Sequence, residues 1–320
     1  MSLSVKEAPA LLIEIERILV CKIRQHATRR AKTGQESLRH TQAISFVTIS
    51  ADGSVVASGS EDGLICLWDG HTGNHRASLE KHWGEILWLA FSGDGRRLSS
   101  ISRASDEVVV WDTENARFLH RFQGHDDWVR CAISSPDPEG RLLASTSDDT
   151  FVRVWDLTLA HKPGEMEAHQ PKMCLKGHTD YVFCASFSAD GRYLASGGDD
   201  RSVRVWDLTP ESNPSNVNDD QAPLSDGTTR HGLLCRNRSG RITGITFFPD
   251  NRQVISSSDD GAITIWDLLP TNEEGQQPIK QHINLKQASH ISITPVPTQI
   301  GSSRKQAQVY SWSGYANRRR

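Results

Sequence analysis

The chain has 320 residues, 37% hydrophobic and 23% charged, with a formal net charge of −3. That balance suits a globular fold and excludes a strongly basic nucleic-acid binder or membrane-surface module. No apolar run reaches the ~20 residues that span a bilayer; the longest candidate, Ala8 to Val20, is broken by Glu14, Glu16 and Arg17.

In chain order, the N-terminus MSLSVKEAPALLIEIERIL lacks the basic n-region of a secretory signal, and its glutamates argue against a transit peptide. Leu12, Ile15, Leu19 and Ile23 recur at helical spacing. Pro9 to Arg30 therefore reads as an amphipathic helix, followed by a basic linker ending near residue 35. Such a helix packs on the following domain or stays disordered; alternatively it binds a partner or associates with itself.

From residue 36 the hydrophobic period changes to two, the signature of strands with one buried face. RHTQAISFVTISADGSVVAS (39–58) runs into SGSEDGLICLWD, which ends at Asp69. KHWGEILWLAFSGDGRRLSS (81–100) leads to a looser copy ending at Asp112. GHDDWVRCAISSPDPEGRLLAS (124–145) leads to STSDDTFVRVWD, ending at Asp156. GHTDYVFCASFSADGRYLAS (177–196) leads to SGGDDRSVRVWDL, and a fifth unit ends in SSSDDGAITIWD at Asp267. Asp-Gly pairs such as Asp190-Gly191 mark hairpins, so each unit supplies three strands, and a fourth follows the Trp-Asp pair. The tryptophans fall at 68, 111, 155, 206 and 266. The last two gaps are stretched by the inserts HKPGEMEAHQP and PESNPSNVNDDQAPLSDGTTR, both of loop composition. Residues 279–312 are long enough for a cramped sixth unit lacking about one strand. The expected organisation is a helix and linker at 1–35, repeats at 36–270 with a long loop at 209–230, and a degenerate unit with a basic tail at 271–320.

These units resemble the Trp-Asp (WD) repeat family of β-propellers. The resemblance implies an all-β propeller: five clear four-stranded blades and a degenerate sixth, each blade burying its faces against its neighbours. It also implies a hydrogen-bonded tetrad within each blade. The first unit supplies His40, Ser58, Asp62 and Trp68. The third supplies His125, Ser145, Asp149 and Trp155, and the fourth His178, Ser196, Asp200 and Trp206. In the fifth, Arg238 replaces the histidine while Ser256, Asp260 and Trp266 remain. In the second, Ser105 sits six residues before Trp111, where the aspartate belongs.

A Ser-His-Asp set also suggests a hydrolase triad. A triad is needed once, whereas this set recurs, and no Gly-x-Ser-x-Gly elbow accompanies it. The chain also lacks a P-loop, a His-Glu-x-x-His helix and an EF-hand loop. No catalytic group, cofactor or metal is expected. The six cysteines form no Cys-x-x-Cys pair, and Cys131 and Cys184 share one strand position, so they read as buried hydrophobes in a reducing, intracellular compartment.

By resemblance, partners bind the face carrying the turns beside the tetrad aspartates. The residue before each tetrad aspartate gives Glu61, Asp148, Asp199 and Asp259. Positions three and five after each histidine give Glu85 and Leu87, Trp128 and Arg130, and Tyr181 and Phe183. The fifth unit gives Arg241 and Thr243 at the same offsets. An acidic rim around Trp128, Tyr181 and Phe183 suits a basic protein or peptide partner, with neither nucleic acid nor membrane as ligand. The leading reading is a non-catalytic scaffold or adaptor. The alternative is a sensor or regulatory propeller belonging to a larger NTPase-type signalling protein. An incomplete ring would favour self-association through open sheet edges.

Overall fold

The computed structural model describes residues 40–80, 82–103, 105–137, 140–158, 170–209 and 240–268, and the backbone of 233–236, 280–284, 291–292 and 310–311. The helix expected at 9–30 and nearly all of the 209–230 loop lie outside these residues. Every regular element among the described residues is a strand.

The chain divides into two compact units, residues 1–105 with 109–120 and residues 106–108 with 121–320. In the first, β1 (Ile44–Ile49), β2 (Val55–Ser60), β3 (Ile65–Asp69) and β4 (His75–Leu79) pair in sequence order. The second sheet follows the same order through β5 (Ile86–Phe91), β6 (Arg97–Ser102), β7 (Val108–Asp112) and β8 (Arg117–Phe122). One apolar core joins the two sheets, with Ala57, Ile65 and Leu67 from one side and Ile86, Leu89 and Trp111 from the other.

The second unit repeats this meander. Its first sheet is β9 (Val129–Ser134), β10 (Leu142–Ser147), β11 (Val152–Asp156) and the short β12 (Met173–Leu175). The next is β13 (Val182–Phe187), β14 (Tyr193–Gly198), β15 (Ser202–Asp207) and β16 (Leu233–Arg236). The last is β17 (Ile242–Phe247), β18 (Gln253–Ser258), β19 (Ala262–Asp267) and β20 (Lys280–Asn284). One core joins β10 and β11 to β13 and β14 through Ala144, Val154, Val182 and Leu194, and a second joins β14 and β15 to β17 and β18. Of the residues expected to form a sixth unit, 280–284 instead supply β20 of the fifth sheet, and the two-residue strands β21 (Ile291–Ser292) and β22 (Tyr310–Ser311) pair with each other.

The central strands depart from the expected single buried face. Strand β2 is buried at all six positions and β11 at four of five, including Arg153. A neighbouring sheet packs against each of these strands, and even their polar alternates are enclosed. The serines there are small enough to hydrogen-bond in place, and Arg153 is paired with Asp149. Cys66, Cys131 and Cys184 are buried free thiols; burial pushes the Cys131 thiol up to about 12, leaving it inert.

The Trp-Asp pair occupies one register in every sheet. The tryptophan faces an aliphatic residue of the second strand: Val56, Leu98, Leu143, Leu194 or Val254. The aspartate then ends the strand. Oδ1 of Asp69, Asp112, Asp156 and Asp207 accepts main-chain N–H groups two or three residues ahead, turning the backbone out of the sheet.

Candidate interaction face

Each face is positioned by the hydrogen bonds beneath it. In the fourth sheet, the donor-only Trp206 indole N–H donates to Ser196 Oγ at 2.9 Å. Ser196 Oγ lies 2.8 Å from His178 Nε2, and His178 Nδ1 lies 2.8 Å from Asp200 Oδ2. An ionised aspartate only accepts, so Nδ1 carries the imidazole proton and Nε2 accepts from the serine hydroxyl. The third sheet repeats the chain through Trp155, Ser145, His125 and Asp149 at 2.9, 2.7 and 2.8 Å, and buried Arg153 donates to the same Asp149 oxygen. Burial lowers the pKa of His125 and His178, against the raising effect of their aspartates. Burial alone would raise Asp149 and Asp200, but hydrogen bonds from the histidines hold both well below the usual carboxylate range.

The other sheets are less complete. Trp68 and His40 both reach Ser58 Oγ at 2.7 Å, but Asp62 Oδ1 is 3.5 Å from His40 Nδ1. Asp62 accepts the N–H groups of Thr41 and Leu64 instead, leaving His40 Nδ1 buried without a hydrogen-bond partner. In the fifth sheet Trp266 donates to Ser256 at 2.9 Å and Asp260 accepts from Ser258, while Arg238 lies outside the described residues.

The second sheet holds a relay that the sequence reading passed over. Trp111 donates to Ser100 Oγ, and Ser100 Oγ meets His82 Nε2, both at 2.7 Å. Ser105 does not fill the aspartate position. Its N–H bonds the carbonyl of Ser102 as Gly63, Thr150, Arg201 and Gly261 bond theirs, one position past the aspartate in the other sheets. The turn holds one extra residue, so Ser100 and Trp111 are 11 apart where the other pairs are 10. Counting forward from the serine as well as back from the tryptophan would have shown this.

None of these serines is available as a nucleophile. Ser196 is buried, its hydroxyl proton is directed at His178 and a lone pair is taken by Trp206. The relays are built to hold the turns.

Above the relays, two local features recur in all five sheets. The N–H of the residue before the tetrad aspartate donates to the carbonyl three residues after the histidine. These bonds are Glu61 to Ala43, Arg103 to Glu85, Asp148 to Trp128, Asp199 to Tyr181 and Asp259 to Arg241, at 2.8–3.0 Å. Two residues further on, the inner strand carries a β-bulge: Ser45, Leu87, Arg130, Phe183 and Thr243 are each skipped by the pairing register. A bulge re-aims its side chain out of the ladder. The two sets of positions projected from the sequence are therefore tied in every sheet by the same bond and the same bulge. Ser45 belongs to the set and had been passed over; its hydroxyl donates to the Ile86 carbonyl at 2.5 Å.

In the first unit Glu61 is exposed, Leu87 is half-buried and Glu85 pairs with Arg103 at 3.0 Å. In the second, Trp128 and Tyr181 stand out as large exposed aromatics, at 49% and 42%. Arg130 lies 5.3 Å from the Trp128 ring centroid and 5.9 Å from that of Phe183, with its guanidinium forked onto Asp148. Arg241 meets Asp259 at 2.7 Å and Asp199 at 3.5 Å, and Thr243 Oγ1 is 3.3 Å from Ser257 Oγ.

These contacts correct the expected acidic rim. Asp148 is only 7% exposed and neutralised by Arg130, while Asp199 and Asp259 share Arg241. The open negative charge lies one step aside, on exposed Asp126, Asp127 and Asp180. Burial raises the pKa of Asp199 against the opposing pull of Arg241, and Asp180 and Asp259 add to the rise.

The family model described as WD domain, G-beta repeat matches residues 34–69, 116–156, 169–207 and 231–267. The strands β5–β7, next to the turn with the extra residue, fall outside these ranges. The chain is 31% identical over 261 residues to apoptotic protease-activating factor 1 of Rattus norvegicus, covering 79% of this chain and 18% of that protein. It is 26% identical to nuclear distribution protein PAC1 of Arthroderma benhamiae, covering 74% and 51%. Against small ribosomal subunit protein RACK1y of Oryza sativa it is 29% identical, covering 72% and 61%. The solved structure of U3-55K superposes with a TM-score of 0.57 at 22% identity, covering 75% of this chain and 69% of that one, and shares the fold. The chain thus spans between about a fifth and three fifths of these curated relatives. WD-repeat proteins generally act as protein-interaction scaffolds. With the Trp-Asp register, the serine relays and the matched repeats together, the chain belongs to the WD-repeat β-propeller family.

Proposed function

We propose that this chain is a non-catalytic, intracellular scaffold that docks a protein or peptide on the turn-and-bulge face of its third and fourth sheets. The observation that carries this reading is the exposure of Trp128 and Tyr181 at equivalent positions of consecutive sheets, held by the same backbone bond. Aromatic anchors ringed by charge are the usual high-energy contacts of protein interfaces. Asp126, Asp127 and Asp180 beside them favour a basic partner and its electrostatic steering. The test is affinity capture with the intact chain beside a folded Trp128→Ala/Tyr181→Ala variant. Loss of specific partners from the variant supports the reading. Retention of the same partners, with loss only on removing residues 1–32, moves docking to the N-terminal segment.

A second reading is favoured by the 31% identity to a rat protein of which the matched region is 18%. The propeller would then be the regulatory part of a larger signalling protein whose catalytic segment is encoded elsewhere in the same product. The mass of the native product, measured by immunoblot, separates the two readings.

A further inference from the structure

Two exposed elements of the second unit share a construction found in no other described sheet. In each, an aspartate sits immediately before the exposed aromatic and accepts that residue's own main-chain N–H. The distances are 2.7 Å from Trp128 to Asp127 and 2.9 Å from Tyr181 to Asp180. The equivalent pairs elsewhere are Gln42-Ala43, Gly84-Glu85 and Gly240-Arg241. Each carboxylate is thus tied to the main chain of an exposed aromatic residue. Neither Asp127 nor Asp180 has an ion-pair partner among the described residues, whereas Asp148, Asp199 and Asp259 are all matched to arginines.

The protein itself displays the ligand chemistry this surface accepts. The Arg130 guanidinium lies against the Trp128 and Phe183 rings while forked onto Asp148. A planar cation between an aromatic face and a carboxylate combines cation–π attraction with a charge-assisted hydrogen bond. Asp127 at Trp128, which stays 49% exposed with Arg130 against it, and Asp180 at Tyr181 each present a carboxylate without an ion-pair partner next to an exposed aromatic residue.

Building on the docking reading above, we infer that these two aspartate–aromatic elements form a two-point reader for a single extended segment carrying two arginines. One guanidinium engages each element. The second contact is intramolecular once the first has formed, so affinity depends on the spacing between the arginines. Arg130 is a positioning residue: it holds Trp128 and Phe183 in place and neutralises Asp148, leaving the outer carboxylates for the ligand.

The test titrates the intact chain with fluorescein-labelled peptides holding two arginines separated by about one to six glycines, a flexible series of increasing reach. A single-arginine peptide and a two-glutamate peptide are the comparisons. One spacing is expected to bind at least about tenfold tighter than the single-arginine peptide. Trp128→Ala, Tyr181→Ala, Asp127→Asn and Asp180→Asn are each expected to remove that advantage while the melting temperature stays unchanged. Equal binding of one- and two-arginine peptides at every spacing overturns the inference, as does binding insensitive to these four variants or a preference for glutamate. If a captured partner still depends on Trp128 while the arginine pairs gain nothing, the docking face stands and its two-cation reading falls.

Discussion

Ser196 and Ser145 each hold a tryptophan and a histidine at once, so their sheets lose two buried contacts when either relay is cut. Trp155→Ala and Trp206→Ala should each lower stability by about 3–5 kcal/mol, through a cavity and an orphaned serine. Trp83, which is 96% exposed, should tolerate alanine within about 0.5 kcal/mol. Thermal melts of the three variants check this, and equal midpoints would contradict the relay. Ser196→Ala should cost about 1–3 kcal/mol by stranding the indole N–H, with no change in any hydrolase activity of the preparation. Thr150 carries a different strain. It holds φ at +72°, where the corresponding residues of the first and fifth sheets are Gly63 and Gly261. A β-branched residue is costly there, so Thr150→Gly should raise the urea midpoint, by up to about 1 kcal/mol in stability.

At the scale of the element, the relays make stability depend on pH in a defined direction. Burial holds the His40, His125 and His178 pKa values below the ordinary 6.5. As pH falls through about 6.5, the unfolded chain takes up protons that these folded imidazoles refuse, so stability declines from there downward. Asp62, Asp149 and Asp200 are held below their usual value, so the unfolded carboxylates protonate first, adding a second loss below about pH 4. Melting temperatures between pH 8 and 3 should be level above about 7, fall below 6.5 and drop further near 4. A level profile from 7 to 5 would contradict the buried neutral histidines. The strands themselves were legible in the sequence, because period two, Asp-Gly turns and the Trp-Asp pair all report local backbone geometry. The near-complete burial of β2 and β11 was not, because it depends on packing against residues far apart in the chain. The extra residue in the second sheet's turn was hidden by counting from Trp111 alone. The arginine pairing of Asp148, Asp199 and Asp259 was hidden because turn sequence gives no side-chain direction: Arg130 sits in a bulge, and Arg241 at the carbonyl bonded by the Asp259 N–H.

At the scale of the whole molecule, the repeats are a means of presenting turns. Each sheet supplies the same pinned carbonyl and the same bulge, and the residues placed there differ from sheet to sheet. At the pinned carbonyl, aromatics occupy the third and fourth sheets and charged residues the second and fifth. If the acidic surroundings of Trp128 and Tyr181 steer a basic partner, association should slow as salt rises, since exposed charges are screened beyond about 8–10 Å at physiological ionic strength. Stopped-flow association of a captured partner across a salt series checks this, and a salt-independent rate would contradict the steering. The most direct test of docking is hydrogen exchange of the intact chain with and without that partner. Protection concentrated at residues 126–130 and 179–183 is the expected result. Protection confined to the outer strands β4 and β8, or to residues 1–39, with no change at 126–130 and 179–183, would contradict it.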